Sequence, residues 1–416
     1  MMQTPSRNEL LAWLRLSLQP GLNRATARSL LAEFGLPQRI FATSAALLAR
    51  HMPRDLANCL LAPPPSEVQQ TIDAAMEMLA QPGHHLVTLA DSAYPRQLLD
   101  GSDPPLLLYV RGDPACLHKP SVAIVGARSA TEGGKDNARA FARHLAERGW
   151  TVVSGLARGI DAAAHEGALQ SGVPGATVAV LACGLDIAYP RQHAELMDQI
   201  ASTGAVISEY APGTPAQPFR FPERNRIVAA LARGVLVVEA AIQSGSLVTA
   251  RLALECGREV FAIPGSIHAP LSRGCHALIR QGAKLVEQGS DIEEELLRSG
   301  PPPQRSSIAS RPVAVPELRG RNLGTHYGRY TPAPGEGAPA HAAAAPSRPA
   351  NRLLKDPTVG RVLQALGYDP SDIDQLCQRS GLAFPKVAAI LTELELNDIV
   401  HRLEDGRFQR RQAELL

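Results

Sequence analysis

The sequence predicts an α/β protein: a Rossmann-like, doubly wound, mainly parallel sheet, with an N-terminal helical domain of SAM/helix-hairpin-helix-like type and a C-terminal winged helix. Three observations carry this. Between residues 121 and 263, apolar β-branched runs alternate with helical stretches, the pattern of a sheet covered on both faces. Before residue 83 the apolar spacing is helical, with no strand-like alternation. After residue 351, three helical segments precede a short hairpin pattern.

Residues 1–82 read as short helices over Asn8 to Ser17 and Asn23 to Phe34, followed by segments opening at Thr43 and Ser66. Pro20-Gly21-Leu22-Asn23, with Ala25, Ala27, Leu30 and Leu31 after it, supplies the small residues that let two helices approach. A helix-hairpin-helix DNA-binding unit and an ordinary helical hairpin both fit. Residues 83–299 form the Rossmann-like domain. Its edge element lies within 85–118 and its strands are Val122 to Val125, Thr151 to Ser154, Thr177 to Leu181, Ala205 to Ser208, Val235 to Glu239 and Glu259 to Ile263. Residues 300–351 read as a disordered linker. The stretch 300–350 holds ten Pro, ten Ala and six Gly, and too few large apolar side chains to offset the entropy of ordering. Residues 352–416 are the winged helix: helices over Thr358 to Leu366, Ser371 to Arg379 and Phe384 to Leu396, then strands Ile399 to Leu403 and Arg407 to Arg410 around a Glu404-Asp405-Gly406 turn. Its presumed recognition helix carries Lys386 but also Glu393 and Glu395, with Asp398 just beyond. That charge pattern suits a protein contact or an autoregulatory role better than a phosphate-lined groove.

The 416 residues allow two or three domains. With 42 basic and 40 acidic residues the formal net charge is +2, which excludes a polybasic coat and makes any nucleic-acid site a local patch. Only five of the basic residues are Lys, so the abundance of Arg reads as genome composition. The six cysteines lie far apart, without a CxxC pair or a Cys/His cluster at zinc spacing, and read as reduced core thiols. No stretch approaches 18 apolar residues and Met1 to Glu9 has no apolar core, so a soluble, cytoplasmic protein is expected.

In an open parallel sheet, ligands bind beyond the carboxyl ends of the strands. The loops there are rich in Gly: Gly126-Ala127-Arg128 with Gly133-Gly134, then Gly155-Leu156-Ala157-Arg158-Gly159-Ile160-Asp161, Gly184-Leu185-Asp186, Ser244-Gly245-Ser246 with Thr249, and Pro264-Gly265-Ser266. Gly permits close backbone approach, and helix N-termini present free N–H groups to anions. There is no GxGxxG, and a Walker A loop ending at Gly134-Lys135 would need Gly at Ser129 and Ser or Thr at Asp136. Five Gly-bearing loops on one rim, two of them with Arg, favour a polyanion over a mononucleotide.

The most specific local feature is Phe219-Arg220-Phe221-Pro222-Glu223-Arg224-Asn225-Arg226, placed before a helix expected to begin near Ile227. Interleaved rings and guanidinia offer stacking faces for bases and cations for phosphates. Internal ion pairs of Arg224 or Arg226 with Glu209 or Glu239 are the competing assignment. Asp161, His165, Glu209 and Glu239 lie near the same rim, but no nucleophile sits beside a base at recognisable spacing and no metal-ligand cluster appears. Asp161 and His165 read as local helix-start bonds.

These residues resemble the bacterial DNA-processing protein family known as DprA or Smf, nearly end to end. The resemblance rests on Tyr94-Pro95 with Leu98, the Pro104 to Tyr109 segment, AIVGAR (Ala123 to Arg128), SGLARGIDAAAH (Ser154 to His165) and GLDIAYP (Gly184 to Pro190). It continues through FPERNRIV (Phe221 to Val228), VEAAIQSGSLVTA (Val238 to Ala250), PGS (Pro264 to Ser266) and RGCHALIRQGA (Arg273 to Ala283). It implies a non-enzymatic protein that binds single-stranded DNA without sequence preference and without cofactor or metal. It also implies a homodimer that protects incoming strands and loads RecA recombinase in natural transformation. By motif, Arg128 with Gly126 would form a central phosphate pocket, Arg158 and Gly159 would line it, and Phe221 would stack a base beside Arg224 and Arg226. The family's usual Gly-Ser-Arg is Gly126-Ala127-Arg128 here, which removes one hydroxyl bond worth about 0.5–1.5 kcal/mol. Where the family tends to carry a basic residue before the Phe, this chain has Gln217-Pro218, and Arg220 and Arg191 stand as substitutes. Two other functions compete. One is a nucleoside-monophosphate phosphoribohydrolase or other nucleotide-binding enzyme, whose PGGxGT loop is replaced here by Gln243 to Thr249. The other is an interaction scaffold acting through the linker and winged helix.

Overall fold

A computed structural model describes residues 6–298, 356–397, 399–403 and 405–410. The expected linker, 300–351, lies outside the described residues. The chain opens with α1 (Arg7–Ser17), α2 (Arg24–Phe34), α3 (Pro37–Phe41), α4 (Ala45–Leu48), α5 (Arg54–Leu61) and α6 (Ser66–Leu79). Ser6 and Glu9 close a capping box on α1, and the Asn23 side chain accepts from Thr26 N–H at the start of α2, satisfying donors that helix starts leave free. The buried residues Leu16, Ala27, Leu30, Ile40, Leu48 and Leu60 form this module's own core.

The second part comprises β1 (His84–Thr88), β2 (Leu107–Gly112), β3 (Ser121–Val125), α7 (Glu132–Glu147), β4 (Thr151–Ser154), α8 (Ile160–Gln170), β5 (Thr177–Leu181), α9 (Ala194–Thr203) and β6 (Ala205–Ser208). It continues with α10 (Arg220–Leu231), β7 (Gly234–Val237), α11 (Gly245–Glu255), β8 (Glu259–Ala262), α12 (Arg273–Arg280), β9 (Lys284–Leu285) and α13 (Gly289–Arg298). The strands form one nine-stranded sheet in the order β1-β2-β6-β5-β4-β3-β7-β8-β9. β1 and β2 pair antiparallel with each other, β2 pairs antiparallel with β6, and the pairings from β6 to β9 are parallel. The edge element expected in 85–118 is therefore a pair of strands.

The central strands β3, β4 and β5 are buried along their whole length, as a sheet clad on both faces requires. The chain runs outward from β3 to β6 and then crosses back to place β7 on the other side of β3. Helices leaving β3 and β7 diverge at that point, which opens a crevice at their carboxyl ends. Sequence and structure disagree at one consequential place. α10 begins at Arg220, not near Ile227. Pro222 is compatible with this because the first helical turn has no N–H partner to lose.

The last described part holds α14 (Pro357–Leu366), α15 (Ile373–Ser380), α16 (Phe384–Leu396), β10 (Val400–Arg402) and β11 (Phe408–Arg410), a winged helix whose strands pair antiparallel. A second bridge joins Ser371 to Phe408.

Phe261 on β8 is fully buried and lies across Gly234, where an added Cβ would come within 2.6 Å of the ring. Phe261→Ala is expected to cost about 3–5 kcal/mol. Urea unfolding should show a lower midpoint with an unchanged slope.

Candidate nucleic-acid interface

A cleft of about 500 Å³ opens at the carboxyl ends of the parallel strands, where β3 and β7 diverge. Its lining includes Gly126 and Arg128 after β3, Ala157 and Asp161 after β4, Tyr189 after β5, Phe221 and Asn225 on α10, and Ser244 to Ser246 with Thr249 at the start of α11.

Close backbone approach shapes the cleft. A Cβ at Gly126 would lie 2.6 Å from Ile160 Cγ1 and 2.9 Å from the Glu239 carbonyl. Gly159 has φ +78°, and a Cβ there would come within 2.3 Å of Ala127 O. The Arg128 loop can therefore rest directly on the start of α8 only because these positions are glycine. Between them Leu156, fully buried, adopts φ +56°, an uncommon conformation for a residue with a branched side chain, and its carbonyl meets His193 Nδ1 at 3.0 Å.

Arg128 is exposed, with its guanidinium 4.9 Å from the centroid of Phe221. The Phe221 ring in turn lies 5.4 Å from that of Tyr189 at a tilt of 46°. Tyr189 precedes a cis peptide to Pro190 and is itself exposed. Arg158 and Arg191 are also exposed, and neither has a hydrogen-bond or ion partner among the described residues. Arg158, with Arg128, Tyr189, Pro190 and Phe221, walls a smaller recess beside the cleft.

The structure corrects the expectation that Arg224, Arg226 and Arg220 offer free cations. Arg224 is 4% exposed, and its Nη1 donates to Gly155 O at 2.6 Å and to Val180 O. Because α10 starts at Arg220, Arg224 falls in register with Ile227, Val228 and Leu231 on the buried stripe of the helix. Arg226 pairs with Glu209 through Nη2 and with Asp103 through Nε at 3.5 Å. Arg220 donates to its own loop at Pro215 O and lies over the rings of Tyr210 and Phe219, at 5.2 and 5.3 Å. Each guanidinium has an internal acceptor.

The acidic and imidazole groups of the rim are likewise engaged. Glu239 accepts from Thr131 N–H at 2.9 Å and from its hydroxyl at 2.5 Å, so its carboxylate occupies the N-terminus of α7. Gly134 leaves room for it, since a Cβ there would lie 2.4 Å from Glu239 Cδ. Asp161 accepts from Ala157 N–H at 3.3 Å in the first turn of α8. Burial pushes the Asp161 carboxyl up, while the Arg224 charge and backbone N–H groups act the other way. The start of α11 carries no carboxylate among these contacts: the Ser244 hydroxyl caps it, accepting from Ser246 N–H at 3.3 Å, nothing lies within 4 Å of a Cβ built on Gly245, and Ser244 and Ser246 line the cleft. His165 is fully buried, with Nδ1 2.7 Å from Thr177 Oγ1. These partners tie Glu239, Asp161 and His165 into the scaffold. Among the described residues no cluster of three or more potential metal ligands occurs, and no helix is long and apolar enough to cross a membrane.

Fold and site together define a Rossmann-like protein whose cleft at the strand crossover is lined by an exposed arginine beside two aromatic rings. Comparison with known proteins gives the family. The family described as DNA recombination-mediator protein A matches residues 85–297, and the DprA winged helix domain matches residues 338–406. The chain is 38% identical to protein Smf of Escherichia coli over 83% of its own length and 82% of the relative's. It is 48% identical to DNA processing protein DprA of Streptococcus pneumoniae over 50% of this chain and 73% of that one. The X-ray structure of the pneumococcal protein superposes with a TM-score of 0.60 at 35% identity, covering 70% of this chain and 99% of that chain. The chain belongs to the DprA/Smf family of DNA-processing proteins.

Burial pushes His165 down to about 3. The unfolded chain therefore takes up a proton near pH 6.5 that the folded chain refuses until about 3. Folding stability is complete above pH 6.5 and falls as the pH drops below it, by about 1.4 kcal/mol per pH unit from this group. His165→Gln should lower stability at pH 7 and flatten its decline between pH 6 and 4.5, as read from urea midpoints.

Proposed function

We propose that this protein binds single-stranded DNA, without sequence preference and without catalysis, in the cleft at the carboxyl ends of its parallel strands. The observation that carries this reading is the exposed Arg128 guanidinium lying on the Phe221 ring beside Tyr189. A cation and two π-faces within one nucleotide's reach suit a strand whose bases are unpaired, whereas a duplex keeps its base faces stacked. Arg158, which walls the adjoining recess, and the exposed Arg191 next to Pro190 extend the cationic character of this rim, and the Ser-capped start of α11 with Gly126 accommodates a phosphate. Arg224, Arg226 and Arg220 then hold the site in shape.

Membership of the family supports the wider role: protection of incoming strands and loading of RecA recombinase during natural transformation, by a homodimer in the cytoplasm. Within this reading residues 1–82 are a helical module, 83–299 the strand-binding domain, 300–351 a linker and 352–416 a winged helix that contacts protein.

Fluorescence anisotropy with a labelled oligothymidylate and a matching duplex, over a salt series, tests the binding claim. Wild type should prefer the single strand. Arg128→Ala should weaken binding at least tenfold and lower the slope of log K against log salt by about 0.7, the value for one phosphate contact on a single strand. Phe221→Ala should cost about 1–3 kcal/mol and leave the slope unchanged. Equal affinity for duplex, or both variants binding like wild type, would contradict the proposal. Release of adenine from AMP by the purified protein would favour the phosphoribohydrolase alternative instead.

A further inference from the structure

We infer that Arg24 and Arg28 of the helical module are positioning residues for the strand-binding cleft, acting through Asp103, Glu209 and Arg226 on the helix that carries Phe221. The inference rests on the function proposed above and extends the site into a part of the chain about 200 residues away in sequence.

The five side chains form one cluster. Asp103 accepts from Arg24 Nε at 2.6 Å through one oxygen and from Arg28 Nη1 at 2.6 Å through the other. The first of these oxygens also lies 3.5 Å from Arg226 Nε. Glu209, at the end of β6, takes Arg226 Nη2 and lies 3.6 Å from Arg24 Nη1. Arg28 Nη1 further donates to Pro104 O at 3.0 Å. Arg226 and Glu209 are the best shielded members, with side chains 15% and 11% exposed. Pairs so shielded are screened less by salt than the isolated surface pairs of this chain.

The consequence lies in helix geometry. Residues two apart on an α-helix point about 200° apart around its axis. Arg224 therefore fastens α10 at Gly155 O and Val180 O, while Arg226, on the opposite side of the helix, is tied to Glu209 and to Asp103, the carboxylate that also holds Arg24 and Arg28 of α2. Two clamps on opposing faces fix the roll of a helix that a single clamp would leave to pivot. Phe221 sits on the first turn of that helix, so its ring face toward Arg128 is set by the roll. Glu223, one turn beyond Arg220, adds a lighter tie by accepting from Tyr210 OH at 2.9 Å. Three cations share two carboxylates here, so deleting two guanidinia on the module side leaves Asp103 and Glu209 to compete for Arg226 alone.

The test is a double-mutant cycle in the full-length chain, read by anisotropy on oligothymidylate. Arg24→Gln with Arg28→Gln is expected to weaken single-strand binding about tenfold with an unchanged salt slope. In a Phe221→Ala background the same pair of substitutions should change affinity less than twofold, because the ring they orient is gone. Arg24→Lys with Arg28→Lys should retain most of the affinity, and Asp103→Asn should reproduce the loss should the double Gln variant fold poorly. Wild-type affinity in the Gln variants overturns the inference. So does an undiminished loss in the Phe221→Ala background, which marks general destabilisation, or a salt slope reduced by about 0.7 per arginine, which marks direct phosphate contact. Weak binding by wild type, or insensitivity to Arg128→Ala and Phe221→Ala, would instead defeat the binding function itself.

Discussion

The architecture of the cleft depends on one buried cation. Arg224 reaches from α10 beneath the rim and donates to carbonyls at the carboxyl ends of β4 and β5, with Asp161 supplying opposite charge nearby. Withdrawing a guanidinium from water is costly, and the arrangement holds only because the acceptors are fixed by the central sheet. Gly155 is part of the same device, since a Cβ there would sit 2.4 Å from Arg224 Nη1. Losing one partner of such a buried charge typically costs about 3–5 kcal/mol. Here the loss would also free the helix bearing Phe221.

From that anchor the rest of the rim follows as a division of labour among residues of the same type. Arginines with internal acceptors set geometry, and the exposed Arg128, Arg158 and Arg191 stay available to a ligand. Acids divide similarly. Glu239 and Asp161 occupy the starts of α7 and α8, whereas the start of α11, which lines the cleft, is capped by the neutral Ser244 hydroxyl. The proposed anion site is narrower than a row of Gly-rich loops implies, because two of the helix ends behind those loops already hold carboxylates.

Most of the sheet was legible because its strands are short, apolar and flanked by Gly. The apolar runs and the observed strands coincide to within two residues at each end, as Val235 to Glu239 against Gly234–Val237 illustrates. Side-chain direction in the Phe-Arg segment was not legible without the helix start. With α10 placed near Ile227, Arg224 and Arg226 lie on a loop and both look free. Seven residues earlier, the spacing Arg224, Ile227, Val228 and Leu231 is an i, i+3, i+4, i+7 stripe, a signal present in the sequence that marks Arg224 as buried. The pairing of Arg226 with Glu209 was open as an alternative, but its continuation through Asp103 to α2 joins elements far apart in sequence that no local pattern connects. Gly159 shows the converse. Its motif was plain, and the φ of +78° together with the approach to Ala127 O explains why glycine is required there.

The most direct test of the account is a crystal structure of the chain with an oligothymidylate. It should place a phosphate against Arg128 and the Gly126 backbone, a base on the Phe221 ring, and Arg224 still bonded to Gly155 O and Val180 O. A strand lying at the amino ends of the sheet or on the winged helix, or an Arg224 side chain turned out to meet the phosphate, would contradict it.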